Sequence, residues 1–249
     1  MKLIKHFGLL IELNLKMRTA SIRKVDEQPD MIEIPRSVNY NSTEYVIKSI
    51  RPYAFYGAKT YFYKPDKAIS FAEDSEILIF DDYSFKCSII NSLSIPASLE
   101  YLGKGWCEET RLLTKISISP KNKNFVYYDE KMILGKTNIM DDNYDTIYFA
   151  RRDVEDIRIP SFIKHIEQSA FDCCNKIETF IINEDSVLLT IGDYAFASSS
   201  INKFFIPSKL EFFGNSWCED ALKLNDIIVS PKNKRYMRDE DSKIIFLQI

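Results

Sequence analysis

Short runs of this chain alternate apolar and polar residues with a period of two. Ser92-Leu93-Ser94-Ile95, Lys115-Ile116-Ser117-Ile118 and Lys203-Phe204-Phe205-Ile206 each turn every second side chain to one side, the pattern of a half-buried β-strand. Pro96, Pro160 and Pro207 close such runs, because proline cannot continue a hydrogen-bonded ladder. After a turn comes a second spaced apolar pair, Leu99 and Leu102 in one place, Leu210 and Phe213 in another. A small residue followed by a large ring then completes the phrase. This slot holds Ala54-Phe55, Ser84-Phe85, Ala170-Phe171 and Ala195-Phe196, with Trp106-Cys107 and Trp217-Cys218 as variants and a degraded version at Tyr148-Phe149.

The phrase recurs about every 22 residues, within the range of leucine-rich repeats. A longer period lies over it. Pro96, Trp106, Cys107 and Pro120 return 111 positions later as Pro207, Trp217, Cys218 and Pro231, and 73–133 is written again as 184–244. One coil cannot bury its apolar faces alone, whereas stacked neighbours can. The predicted fold is a repeat solenoid of leucine-rich-repeat type with a parallel β-sheet on one face. About eight strands at roughly 4.8 Å would make that sheet on the order of 35 Å long. Residues 1–30 are expected to form an N-terminal capping hairpin, with strands at 9–15 and 19–25 joined by the polar turn 16–18. The solenoid takes 31–249. Hairpins interrupt it at about 122–146 (Phe125 and Val126, turn Asp129-Glu130, then Met132 to Leu134) and at 233–249 (Tyr236, turn Glu240-Asp241, then Ile244 and Ile245). The second is expected to seal the C-terminal end.

Composition narrows the possible partners. A net charge of -3 and a pI near 5.6 give no reason to expect nucleic acid or an anionic membrane. Five cysteines cannot all pair, and reduced thiols are expected. No run reaches the roughly 18–20 apolar residues that span a bilayer. Lys2 and Lys5 precede the apolar run 7–11, but it stops at Glu12, short of the roughly 7–15 residues of a leader's apolar region. That absence points to the cytoplasm.

Candidate chemistry is sparse. The histidines are His6 and His165, and alternation beside Ile166 turns His165 to solvent. Cys173-Cys174 lacks metal-ligand spacing. Cys174 shares a small core slot with Thr110 and Ala221, while Cys107 and Cys218 replace the ring of the dipeptide, so all three are expected to be buried. Gly103-Lys104-Gly105 is no phosphate loop. Glu108-Glu109 and Glu219-Asp220 recur as solvated turns, and Lys121-Asn122-Lys123 and Lys232-Asn233-Lys234 as short basic loops. No catalytic arrangement, metal or cofactor is expected.

Alternation also assigns the outward row of the sheet: Glu33, Ser70, Ser94, Ser117, Arg158, Ile181, Phe205, Ile228. It begins small and polar and ends large and apolar. Ile181, Phe205 and Ile228, rimmed by Thr179, Lys203 and Asp226, form the candidate partner-binding site. A protein partner or self-association would use it.

The phrase Ile159-Pro160-Ser161-Phe162-Ile163-Lys164-His165-Ile166, with Ala170-Phe171, Cys174 and Ile177, resembles the BspA-like leucine-rich repeat family. Its hairpin insert and its opening hairpin are similar as well. The resemblance implies a non-enzymatic surface protein of host-associated bacteria or parasitic protists, an adhesion or surface-antigen type that binds host or neighbouring-cell proteins. The alternative is an intracellular scaffold or regulatory repeat protein using the same face on a cytosolic partner.

Overall fold

A computed structural model describes residues 1–25, 30–57, 67–238 and 245–247. Every regular element among them is a β-strand. The chain divides into two compact units, Met1–Tyr127 and Tyr128–Ile249.

The first unit opens with three antiparallel strands, Lys2–His6, Leu9–Asn14 and Thr19–Val25. The last two are the expected hairpin. The strand before them was not anticipated. Its turn is Phe7-Gly8, both left-handed with φ 46° and 78°, the geometry a two-residue hairpin favours and glycine eases. The apolar run at the N-terminus is therefore a hairpin corner.

From Thr19–Val25 onward the pairing turns parallel, through Thr43–Ile50, Ile79–Phe80 and Tyr101–Leu102. A second row stacks Met31–Ile34, Ala68–Phe71, Ser92–Ile95 and Lys115–Ile118, also in parallel. The second apolar pair of each phrase thus builds a sheet of its own. Between the rows lie the buried rings of Phe55, Phe80, Phe85 and Trp106. Phe55 and Phe85 stack at 4.7 Å.

The second unit repeats this plan. Met132–Gly135 pairs antiparallel with Thr146–Ala150, and parallel pairing continues through His165–Ile166, Thr190–Ile191 and Phe212–Phe213. The other row consists of two separate ladders, Asp156–Arg158 with Thr179–Ile181 and Lys203–Ile206 with Asp226–Val229. The single eight-stranded sheet expected from alternation is corrected accordingly: four of its strands form one sheet in the first unit, and four form two ladders in the second. The register is as alternation placed it, with Glu33 opposite Ser70, Ser94 opposite Ser117, Arg158 opposite Ile181 and Phe205 opposite Ile228.

The dipeptide slot makes a third backbone ladder. The amide of Phe85 donates to the carbonyl of Trp106 at 2.7 Å, that of Phe171 to Ala195 at 2.7 Å, and that of Phe196 to Trp217 at 2.7 Å. In the degraded coil the donor is Ala150, to Ala170 at 2.8 Å. The slot there is Phe149-Ala150, one residue later than Tyr148-Phe149. Phe149 belongs to the strand, and the Arg152 guanidinium lies 4.5 Å above its ring, donating to the carbonyls of Ala170 and Ser169.

Both inserts are tied down by one asparagine. Asn122 is buried; its Nδ2 donates to the carbonyls of Pro96 and Leu99 at 2.8 and 3.1 Å, and its Oδ1 accepts the amides of Asn124 and Phe125 at 2.9 and 2.8 Å. Asn233 repeats this on Pro207, Leu210, Arg235 and Tyr236. The turn of the first insert is Asp129-Glu130, both at φ 51°, closed by the Lys131 amide on the Tyr128 carbonyl at 3.0 Å. In the second insert Tyr236–Arg238 pairs with Ile245–Leu247. Its Glu240-Asp241 turn and Ile244 lie outside the described residues.

Candidate functional site

The strands Lys203–Ile206 and Asp226–Val229 set most of the candidate site. Phe204 and Ile206 point into the core and are fully buried. Strand alternation therefore puts Lys203 and Phe205 outside. Lys203 lies opposite Asp226, and Phe205 opposite Ile228. The Lys203 ammonium stands 3.6 Å from the Asp226 carboxylate, a partly exposed pair of small energetic weight. Four of the six predicted residues are thus brought together.

Thr179 and Ile181 sit on a different ladder, where they pair with Asp156 and Arg158. Ile181, Phe205 and Ile228 are each half-buried, while Thr179 is exposed. Phe205 also packs against the edge of the second unit's core. The apolar row is a shallow shelf rather than a fully open patch.

Other residues fall as their slots dictate. Cys174 is fully buried, and burial pushes its thiol up to about 11. Cys107 is buried too, but Cys218 is only half-buried. None of the five cysteines is disulfide-bonded. The turns Glu108-Glu109 and Glu219-Asp220 carry a left-handed residue each, Glu109 at φ 56° and Asp220 at φ 55°; Glu219-Asp220 is exposed as expected, whereas Glu108 is largely covered because it pairs with Lys86 on the neighbouring coil. Gly103 is present for close approach, since a Cβ there would meet the Asp82 amide nitrogen at 2.4 Å. Asn122 and Asn233, read as parts of basic loops, are internal clamps.

His165 departs from expectation. It is half-buried, and its Nδ1 lies 2.8 Å from Thr190 Oγ1, because the short strand carrying it is paired on both sides. Burial lowers its pKa, with Asp145 opposing and Lys164 adding. Burial alone would raise the neighbouring Asp145 carboxyl. The amide and hydroxyl of Thr137 at 3.0 and 2.8 Å and the Lys164 ammonium at 3.1 Å outweigh it and hold the carboxyl below its usual value. This cluster joins an insert to the coil beside it. Among the described residues no group of His, Cys, Asp and Glu is arranged to hold a metal, and no helix is long and apolar enough to cross a membrane.

Two rows of short parallel strands around a stack of phenylalanines define a β-solenoid of leucine-rich-repeat class. Residues 36–129 and 143–239 match the BspA type leucine rich repeat region in six copies, and the chain belongs to that family. No curated protein matches the sequence. Among solved structures, the chain is similar to a leucine rich cell surface protein of Faecalibacterium prausnitzii, with TM-score 0.55 and 13% identity over 100% of this chain and 59% of that one. It is also similar to a leucine-rich repeat protein of Eubacterium ventriosum, with TM-score 0.55 and 16% identity over 92% of this chain and 72% of that one. The chain thus spans under two thirds of the Faecalibacterium protein. At these identities the likeness is one of fold.

Proposed function

We propose that this chain is a non-enzymatic protein-binding module of adhesion type, and that the ladder of Lys203–Ile206 with Asp226–Val229 contacts the partner. The observation that carries the reading is the juxtaposition of Phe205 with Ile228 beside the Lys203–Asp226 pair. An apolar shelf with a polar rim is the composition of a protein interface. Thr179 and Ile181 extend the shelf on the neighbouring ladder. Membership of a repeat family supports the reading, since solenoids offer extended surfaces. The Faecalibacterium relative, described as a cell surface protein, supports a partner outside the cell.

The test is binding of the purified chain to intact host epithelial cells and to neighbouring bacteria. Ile228→Asp is the informative variant, because Phe205 also touches the core. The chain should bind in a protease-sensitive manner. Ile228→Asp should bind at least about tenfold more weakly with little change in melting temperature. Undiminished binding by a folded Ile228→Asp chain would place the contact elsewhere, and no binding to any cell would remove the adhesion reading.

A further inference from the structure

The strands Ser37–Tyr40 and Thr43–Ile50 of the first unit form a hairpin that branches from the parallel sheet. They pair antiparallel, from Ser37 opposite Val46 to Tyr40 opposite Thr43. Asn41 and Ser42 close the hairpin, both left-handed at φ 49° and 59°, as a tight two-residue turn between twisted strands requires. Val38 and Tyr45 are buried, whereas Asn41 and Ser42 are exposed. At the base, the Arg36 guanidinium donates to Glu44 and to Glu76, each at 2.8 Å, and Lys48 meets the same Glu76 carboxylate. The hairpin is thus anchored at one end and open to water at the other.

The open end carries a chemical signal. Asn41-Ser42-Thr43 is Asn-X-Thr with X other than proline, the acceptor sequence for N-linked glycosylation. Asn41 alone among the chain's asparagines has a hydroxyl residue two places on. Asn91-Ser92-Leu93 and Asn215-Ser216-Trp217 come near, but Leu93 and Trp217 lack the hydroxyl.

Placement decides whether such a sequence can carry a glycan. The added sugar is bulky and hydrated, so the folded chain accommodates it only where the acceptor side chain meets water. Asn122 and Asn233 are excluded on that ground, since both are buried with their carboxamides bonded to backbone. Asn41 lies at an exposed hairpin tip and meets the condition. Asparagine also tolerates the left-handed backbone of the turn, so fold and modification call for the same residue.

We propose that Asn41 is an N-linked glycosylation site, taking an oligosaccharide from a polyprenyl-pyrophosphate carrier through an oligosaccharyltransferase. The Asn41 Nδ2 forms a bond to the anomeric carbon of the first sugar. The bond from that carbon to the carrier's pyrophosphate oxygen breaks, the pyrophosphate leaves with the electron pair, and one amide proton passes to a base of the transferase. Thr43 supplies the hydroxyl that marks the acceptor. The assignment rests on the reading of a partner outside the cell, because the transferase meets exported chains, but not on the shelf in the second unit.

The test uses the full chain isolated from the cells that make it. Peptide-N-glycosidase in heavy-oxygen water should release one glycan and convert Asn41 to labelled aspartate, located by mass spectrometry. Variants made in the same cells give a second readout. Thr43→Ala keeps the turn asparagine in place and should abolish the glycan, Asn41→Gln should abolish it too, and Thr43→Ser should retain it. An unmodified Asn41 in the native chain would overturn the proposal, as would a glycan that survives Thr43→Ala or sits on Asn215. If Asn41 is bare while cell binding persists and still falls with Ile228→Asp, the glycan fails and the adhesion reading stands. A glycan on Asn41 of a chain that binds no cell would uphold the site and remove the adhesion reading.

Discussion

Phe171 shows how much one side chain decides. It is fully buried, stacked on Phe196 at 4.9 Å and edge-on to Phe180 at 5.7 Å. Phe171→Ala should destabilise the second unit by roughly 3–5 kcal/mol as a cavity substitution, measured by urea unfolding; a negligible change would mean the ring is not core. Cys174 gives a chemical counterpart. With its thiol pushed up to about 11 and no exposed surface, it should resist alkylation in the native chain and react on unfolding. Rapid native labelling would contradict its burial. Both residues were legible from the repeat, because a fixed slot sees a fixed environment. His165 was not, because alternation along one strand says nothing of the neighbours that cover it from either side. Asn122 and Asn233 were hidden for the same reason. Their role lies in four backbone partners that sequence spacing does not display.

At the scale of elements, those asparagines anchor each insert to the coil before it. Asn233→Asp turns a carboxylate oxygen toward the carbonyls of Pro207 and Leu210, where an amide now donates. Unmet buried groups cost about 1–3 kcal/mol each, so a thermal scan should show a loss of that order or more; an unshifted transition would remove the clamp from the account. The contact of Thr137, Asp145, Lys164 and His165 predicts an acid response. His165 has a folded pKa below its ordinary 6.5, so the unfolded chain takes up its proton first. The stability His165 confers is complete above 6.5 and is lost as pH falls through the folded value. Asp145, held below 3.8, adds a second loss on the acid side of that value. Melting temperature should therefore fall from about pH 7 to pH 5, and His165→Asn should flatten that part of the profile. An unchanged profile would rule out His165 as its source. The inserts themselves were readable from turn signals such as Asp129-Glu130. Placing Tyr148-Phe149 one residue early came from reading ring identity, where the ladder follows the backbone.

At the scale of the whole molecule, backbone hydrogen bonds join each coil to its neighbours, and the side-chain shelf is carried on that frame. Repetition made the fold legible, since each coil restates the same pattern and its errors average out. The sites were less so. The shelf could be placed by alternation, but its depth depends on Phe205 touching the core. The most direct measurement is amide hydrogen exchange by NMR on the native chain and on Phe171→Ala. The amides of Phe85, Phe171 and Phe196, donors between coils, should be among the slowest, and Phe171→Ala should release Ala150 and Phe196 first, as nearest-neighbour stacking requires. Exchange of these amides at the rate of free peptide, or uniform loosening of the second unit without preference for adjacent coils, would contradict the stacked-coil account.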